Sequence, residues 1–140
     1  MGIFKNVWAV VTGAVSSILT IFAGEYGMSV FYPLPAGIDI NNRYVLGKAI
    51  AAMPLSAFIF LLAAHALSAV VGGVVATLLS RRVNGRPAIV VGLILVISAV
   101  YNLYLIPHPI WFALINACEY LPLVYLGYLL SSKNWGAKAN

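Results

Sequence analysis

The sequence predicts an all-α protein, a four-helix transmembrane bundle with a short interfacial helix in the first outer loop. Of its 140 residues, 63% are hydrophobic and only 8% are charged, and the mean hydropathy is +1.00. Proline, glycine and polar clusters divide the chain into four apolar segments, and the predicted spans are about 7–31, 54–80, 88–105 and 110–130. Helices of these lengths cross a hydrocarbon core of about 30 Å. We therefore expect residues 1–140 to form a single transmembrane domain.

The first span is expected to be an uncleaved transmembrane helix rather than a signal peptide. A signal-peptide cut after Ala23 would place Ile21 at the −3 position, where a small residue is required. Small and polar residues recur at every fourth position in this span, namely Thr12, Ser16, Thr20 and Gly24. Such a row lets another helix approach closely.

A loop and a short helix are predicted between the first two spans. Residues 32–43 are rich in proline, glycine and asparagine, and Asp39, Asn41 or Asn42 could cap the helix that follows. Its apolar face would consist of Leu46, Ala49, Ile50 and Met53, opposite Arg43 and Lys48. This amphipathic pattern favours a helix that lies on the membrane surface.

Two rows of small residues run side by side along the second span. One row is Ala64, Ser68, Gly72, Ala76 and Ser80, and the neighbouring row is His65, Ala69, Gly73 and Thr77. Helices in lipid associate through such rows, either within one bundle or between two copies of a chain. In both cases we expect His65 to face protein rather than lipid.

Short turns are predicted on both sides of the third span. Residues 81–86 form a basic turn with Asn84-Gly85 at its tip, and Pro87 opens the next helix. The turn before the fourth span is Pro107-His108-Pro109, in which His108 is expected to be solvated. In the fourth span, Cys118 is expected to be a small packing residue.

The basic residues predict the orientation of the bundle. Lys5, Arg81, Arg82, Arg86, Lys133 and Lys138 lie at one end of the predicted spans, against Arg43 and Lys48 at the other. Under the positive-inside rule, both termini are cytoplasmic and the chain is a multi-pass protein of the cell inner (plasma) membrane. The clustering of these charges at span ends predicts contact with lipid headgroups and no nucleic-acid partner.

Five polar residues on four helices are predicted to share the outer half of the bilayer. At about 1.5 Å per residue from the outer helix ends, His65 and Glu119 lie about 15 to 16 Å deep. The predicted ligand- or proton-binding residues are Glu25, His65, Asn102, Asn116 and Glu119. An ionised side chain at mid-bilayer costs about 2.5–3.5 kcal/mol, so Glu119 should be protonated or paired. The cluster could bind a ligand, or its members could bond to one another and hold the helices in register.

Metal binding and catalysis have weaker support. Glu25, His65 and Glu119 are the low-ranked candidates for a metal, because carboxylates and imidazole bind zinc and other transition metals. The sequence contains no Glu-x-x-His pair of the kind that di-iron bundles use. We predict no metal, no cofactor and no catalytic residue.

Three segments, YPLPAGID (32–39), the second span with Gly72-Gly73, and IPHPIWF (106–112), are similar to a group of small bacterial four-helix membrane proteins. The function of that group is not established, so the resemblance implies an integral membrane location and the four-helix arrangement alone. The chain also resembles small multidrug-resistance transporters in having four spans and a glutamate in the first. It departs from them in its long outer loop, its second membrane glutamate and its charge bias, so their glutamate role is not carried over to Glu25.

These observations predict an integral membrane protein with a polar intramembrane pocket. Its expected role is to bind a lipid-like or small ligand, or to serve as an accessory subunit. A proton-coupled small-solute transporter is the first alternative, and an intramembrane metal-dependent enzyme is the second. The expected partners are the lipid bilayer, a hydrophobic small molecule, and a second copy of the chain or a larger membrane complex.

Overall fold

A computed structural model describes residues 2–80 and 85–136, and every regular element within these ranges is a helix. The helices are α1 (Gly2–Phe31), α2 (Arg43–Ala51), α3 (Leu55–Ser80), α4 (Arg86–Leu105) and α5 (Ile110–Gly136). All but α2 are long and apolar enough to cross a membrane. The predicted all-α class with four membrane-spanning helices is confirmed. Arg81, Arg82, Lys138 and the side chain of Lys133, which contribute to the predicted orientation, lie outside the described residues.

The first small-residue row of α3 packs against α1. A Cβ atom on Gly72 would collide with the Ser17 hydroxyl, and one on Gly24 would collide with Ala64. This close approach lets the Ser17 hydroxyl donate a hydrogen bond to the Ser68 carbonyl oxygen across the interface, at 2.9 Å. The row therefore serves packing inside the bundle.

The neighbouring row of α3 packs against α5. Gly73 lies directly against the backbone of Val124, and Gly127 lies against the Val70 carbonyl oxygen. Because the row carries His65 toward α5, its ring is only 8% exposed. Both small-residue rows are thus used by contacts between helices of the same chain.

The half of the bundle near the α3–α4 connection has a closely packed interior, which we call the packed half. Its buried residues are Ala69, Ala76, Ala88, Val91, Leu95, Ala99, Tyr120 and Val124. Here Gly13 of α1 also contacts Val91 of α4, so α1, α3 and α4 meet at one level. The interior of this half consists mainly of small and β-branched side chains.

The opposite half is covered by α2. The Asn42 side chain caps α2 by accepting hydrogen bonds from the Tyr44 and Val45 amides. Below α2, a second cluster of buried residues consists of Ile50, Phe58, Leu61 and Phe112. Gly47 packs against Pro107, and the guanidinium of Arg43 lies 5.2 Å from the centre of the Tyr104 ring. The short helix is therefore attached to the membrane-spanning helices by side chains and acts as a roof.

Candidate functional site

A cavity of about 590 Å³ lies beneath α2, in what we call the cavity half of the bundle. Its walls are mostly apolar and include Met28, Leu61, Leu103 and Phe112, with Ile50 in the roof. Its polar lining residues are Glu25, Ser29, Tyr32, His65, Asn102, His108 and Asn116. Four of the five residues predicted from the sequence therefore contribute to the wall of one cavity.

Asn116 lies at the centre of a hydrogen-bonded chain at the bottom of this cavity. Its Nδ2 group donates to Nδ1 of His65 at 2.5 Å and to Oε1 of Glu119 at 3.0 Å. The Asn116 side chain is 2% exposed, so this amide is fully enclosed. Because both amide hydrogens are used, Nδ1 of His65 must accept, and the neutral ring carries its hydrogen on Nε2. The hydrogen-bond chain thus defines the tautomer of the histidine.

Three polar groups at the cavity floor have no hydrogen-bond partner within the described ranges. They are Nε2 of His65, the carboxyl group of Glu25 and the side-chain amide of Asn102, none of which is a fully buried atom. All three residues line the cavity. We refer to His65, Glu25, Asn102 and Asn116 together as the polar floor.

A smaller cavity of about 180 Å³ lies on the other side of the polar floor, between α1 and α4. It is lined by the same four polar residues together with apolar residues that include Ile21, Phe22 and Leu95. The polar floor therefore separates a larger apolar space from a smaller one.

Glu119 and Asn102 differ from the other predicted residues in their positions. Glu119 lines neither cavity and is connected to the polar floor through Asn116. Asn102 is exposed on the outside of the bundle but lines both cavities. The arrangement is thus a buried pair, His65 and Asn116, with a carboxyl group on either side.

His108 is a cavity residue that the sequence analysis missed. The prediction of a solvated turn residue is wrong, because the ring is half-buried and stacks on Phe112 with centroids 4.9 Å apart. Burial lowers the pKa of His108 below its ordinary value of 6.5, and the hydrogen bond of Nδ1 to the Ile106 carbonyl oxygen acts in the opposite direction. The sequence did place this turn at the same end of the bundle as residues 32–53, and that position could have indicated that His108 lies beneath the loop and short helix.

Two further residues of α5 differ from expectation or were overlooked. Cys118 is exposed, so the prediction that it packs inside the bundle is wrong. Tyr120 is 2% exposed, and its ring centroid lies 6.1 Å from that of His65. Tyr120 is one helical turn after Asn116, which is the spacing that places two side chains on one face.

The three candidate metal ligands, Glu25, His65 and Glu119, do not form a metal site in the described part of the chain. Among residues 2–80 and 85–136, no three side chains of histidine, cysteine, aspartate or glutamate lie close enough together to hold a metal ion. Glu25 and His65 line the same cavity, whereas Glu119 is directed to Asn116.

No protein-family model, curated protein or solved structure matches this chain. The cavity and its polar floor are the features from which a function can be inferred.

Proposed function

We propose that this protein binds a lipid-like or small amphipathic molecule in the cavity beneath α2. The supporting observation is the combination of an apolar cavity with three polar groups at its floor that lack hydrogen-bond partners among the described residues. A cavity of about 590 Å³ falls within the range of about 300–1,000 Å³ that is usual for small-molecule sites. A few convergent polar groups in an apolar pocket are also typical of such sites.

The energetic reason is specific to a membrane. A polar group without a hydrogen-bond partner costs several kcal/mol inside hydrocarbon. A ligand that bonds to Glu25 or His65 would offset this cost. Its apolar part would gain about 25 cal/mol for each Å² buried against residues such as Leu61 and Leu103. Both contributions favour an occupied cavity.

The proposed location is the cell inner (plasma) membrane, with both termini cytoplasmic. Lys5 and Arg86 lie at the packed end, whereas Arg43 and Lys48 of α2 lie at the roof. With the charges of the full sequence included, the ratio of six to two favours a cytoplasmic packed end. The cavity would then open toward the outer leaflet, where a lipid-binding protein or an accessory subunit of a larger complex could hold its ligand.

The packed half favours binding over proton-coupled transport. Transport requires access to the cavity from both sides of the membrane, but the interior beyond the smaller cavity is filled by buried side chains such as Val91 and Val124. A transporter would have to open this region. Proton-coupled flux into liposomes that disappears in the Glu119→Gln variant would be needed to support that alternative.

The test is the lipid content of the protein purified in a mild detergent. Solvent extraction and mass spectrometry should find one amphipathic species close to one molecule per chain. Leu103→Trp should remove most of that species, because Leu103 lies in the cavity wall and a larger ring occupies the space. Leu93→Trp is the matched control on the same helix, since Leu93 is 48% exposed and lines neither cavity.

The two variants separate specific binding from general contact with lipid. Equal lipid content in wild-type protein, Leu103→Trp and Leu93→Trp would refute the proposal. Loss in Leu103→Trp alone would support it, provided that both variants elute as folded protein at the wild-type position in gel filtration.

A further inference from the structure

The polar floor presents a fixed donor and an acceptor to the same cavity. Nε2 of His65 carries a hydrogen because Nδ1 accepts from Asn116. Glu25 offers a carboxyl oxygen as an acceptor whether or not it is protonated. A ligand hydroxyl group can satisfy both at once, because it accepts one hydrogen bond and donates another.

Anionic head groups do not fit this cavity. Neither cavity is lined by a lysine or arginine of the described part of the chain. Arg43 and Lys48 lie on a different groove on the outer side of α2, where each contacts a tyrosine ring. Burial also lowers the pKa of His108, another residue that lines the larger cavity, and so opposes a positive charge on that ring. A phosphate or carboxylate would therefore meet Glu25 without a positive partner.

Cationic head groups fit the hydrogen-bond donor at Nε2 of His65 less well than a hydroxyl group does. An ammonium group has only donors, so it would leave the Nε2 hydrogen of His65 without an acceptor. A hydroxyl oxygen can accept from Nε2 and donate to Glu25 at the same time. It also leaves water more readily than a charged group when it moves into an apolar space.

The cleft between α1 and α4 offers a path for a hydrocarbon chain. These two helices contact one another at Gly13 and Val91 in the packed half. Farther toward α2 the smaller cavity separates them, and four of its lining residues are exposed on the outside of the bundle, namely Ile18, Phe22, Ser98 and Asn102. The smaller cavity therefore reaches the surface that faces lipid.

We propose that the ligand is an uncharged, hydroxyl-bearing lipid whose hydroxyl group bonds to His65 and Glu25, and whose apolar part occupies the cavity beneath α2 and extends between α1 and α4 into the bilayer. This inference rests on the proposed function and specifies its ligand class. The chemical class includes long-chain alcohols, acylglycerols and polycyclic alcohols. It excludes phospholipids as the occupant of the polar floor.

The test uses wild-type protein in detergent and four probes with the same chain, namely hexadecanol, hexadecylamine, hexadecyl phosphate and hexadecane. Binding stabilises the folded state by RT ln(1 + L/Kd), where L is the free probe concentration, so the rise of the thermal unfolding midpoint during a titration gives relative affinities. Hexadecanol should bind about tenfold more tightly than each of the other three, as expected for one or two additional hydrogen bonds. Equal or tighter binding of the amine or the phosphate would overturn the head-group assignment, and equal binding of hexadecane would do the same.

Variants test the two contacts separately. His65→Phe should reduce the affinity for hexadecanol about tenfold and leave that for hexadecane unchanged, because it removes the donor but retains a ring beside Tyr120. Ser98→Phe should weaken hexadecanol binding by filling the cleft, whereas Ile97→Phe should not, since Ile97 is 70% exposed and lines neither cavity. Unchanged binding in Ser98→Phe would overturn the chain path.

Failure of this inference is distinguishable from failure of the proposed function. A co-purified lipid that Leu103→Trp displaces, together with no preference for hexadecanol in the wild-type protein, would leave the binding function intact and reject the hydroxyl class. The probe series does not depend on any variant, so it remains decisive if His65→Phe fails to fold.

Discussion

The two halves of the bundle use the same helices in opposite ways. In the packed half, glycines at 13, 72, 73 and 127 bring backbones into direct contact. In the cavity half, large rings lie between the helices, and Phe58 packs against both Trp111 and Phe112 with centroids 5.5 Å apart. The residue size at each level therefore determines whether the interior is filled or left open.

This difference shows how a small membrane protein can combine stability with a binding site. Contacts between small residues stabilise helix association in lipid, where there is no hydrophobic effect between helices. Among the polar groups of the cavity half, Asn116 contributes to that association through its bond to His65, whereas Glu25 and Asn102 have no hydrogen-bond partner among the described residues. Apart from Asn116, we expect substitutions in the packed half to affect mainly stability, and those in the cavity half to affect mainly ligand content.

The largest effect is expected for Gly73→Ala. Its new Cβ atom would collide with the Val124 backbone, which cannot move aside as a side chain can. Overpacking typically costs about 1–3 kcal/mol, and we expect about 2–3 kcal/mol here even after the better helix propensity of alanine is included. Titration with a denaturing detergent, followed by circular dichroism, measures the change in the free energy of unfolding.

Gly27→Ala is the matched control in the cavity half. Its new Cβ would lie 3.2 Å from Cζ at the edge of the Phe60 ring, which is the end of a side chain and can shift. We expect a change of less than about 1 kcal/mol because alanine also favours the helix. Equal destabilisation by the two substitutions would contradict the proposed difference between the halves.

The next largest effect is expected for Asn116→Leu. Removing the amide leaves Nδ1 of His65 and Oε1 of Glu119 without their donor. Interhelical hydrogen bonds in membranes contribute about 0.6 kcal/mol on average and up to about 1.7 kcal/mol. We expect a loss of about 1–2 kcal/mol in the same detergent titration.

Asn102→Leu provides the comparison, since Asn102 has no hydrogen-bond partner within the described ranges and is exposed. It should change the free energy of unfolding by less than about 0.5 kcal/mol, as surface substitutions usually do. A loss as large as that of Asn116→Leu would mean that the two amides have the same structural role.

The fold could be predicted because each of its signals is local. Pro54, Pro87 and Pro109 stand just before or at the starts of helices, and the apolar segments between the turns are long enough to span a membrane. The small-residue rows of α3 were also visible in the sequence. Which row contacts α1 and which contacts α5 required the structure, because spacing along one helix does not specify its neighbours.

The candidate site could be predicted only in part. Depth along each helix placed Glu25, His65 and Asn116 at compatible levels, but depth does not give the rotation of a helix about its axis. The sequence predicted that members of this cluster could bond to one another, but for that reason it did not predict that Asn116 bonds to both His65 and Glu119. Rotation also explains the error at Cys118, which is two residues from Asn116 and therefore lies on a different face of α5.

A smaller effect is expected for Ser17→Ala in the packed half. The Ser17 hydroxyl lies 2.9 Å from the Ser68 carbonyl oxygen of α3 and 3.1 Å from the Gly13 carbonyl oxygen of its own helix. Loss of the bond between helices should reduce the free energy of unfolding by about 0.6 kcal/mol. Ser16→Ala is the control, because the Ser16 hydroxyl bonds only to Thr12 of the same helix, and an unchanged value in both variants would show that the bond between α1 and α3 does not stabilise the bundle.

The smallest effect is expected in the pH dependence of stability at His108. Burial lowers the pKa of His108 in the folded protein below 6.5, so the folded state binds fewer protons than the unfolded state once the pH falls below about 6.5. The free energy of unfolding should therefore decrease as the pH falls from about 6.5 toward the lowered pKa, and this contribution should level off below it.

His108→Phe retains an aromatic ring against Phe112 but cannot take up a proton, so it should show a shallower decrease over the same range. Unfolding midpoints of both proteins at a series of pH values measure the difference in slope, which is insensitive to the lost Ile106 hydrogen bond because that loss is present at every pH. Parallel curves for the two proteins would mean that the ring is as well hydrated in the folded state as in the unfolded chain, and that the cavity mouth is open to water rather than enclosed by α2.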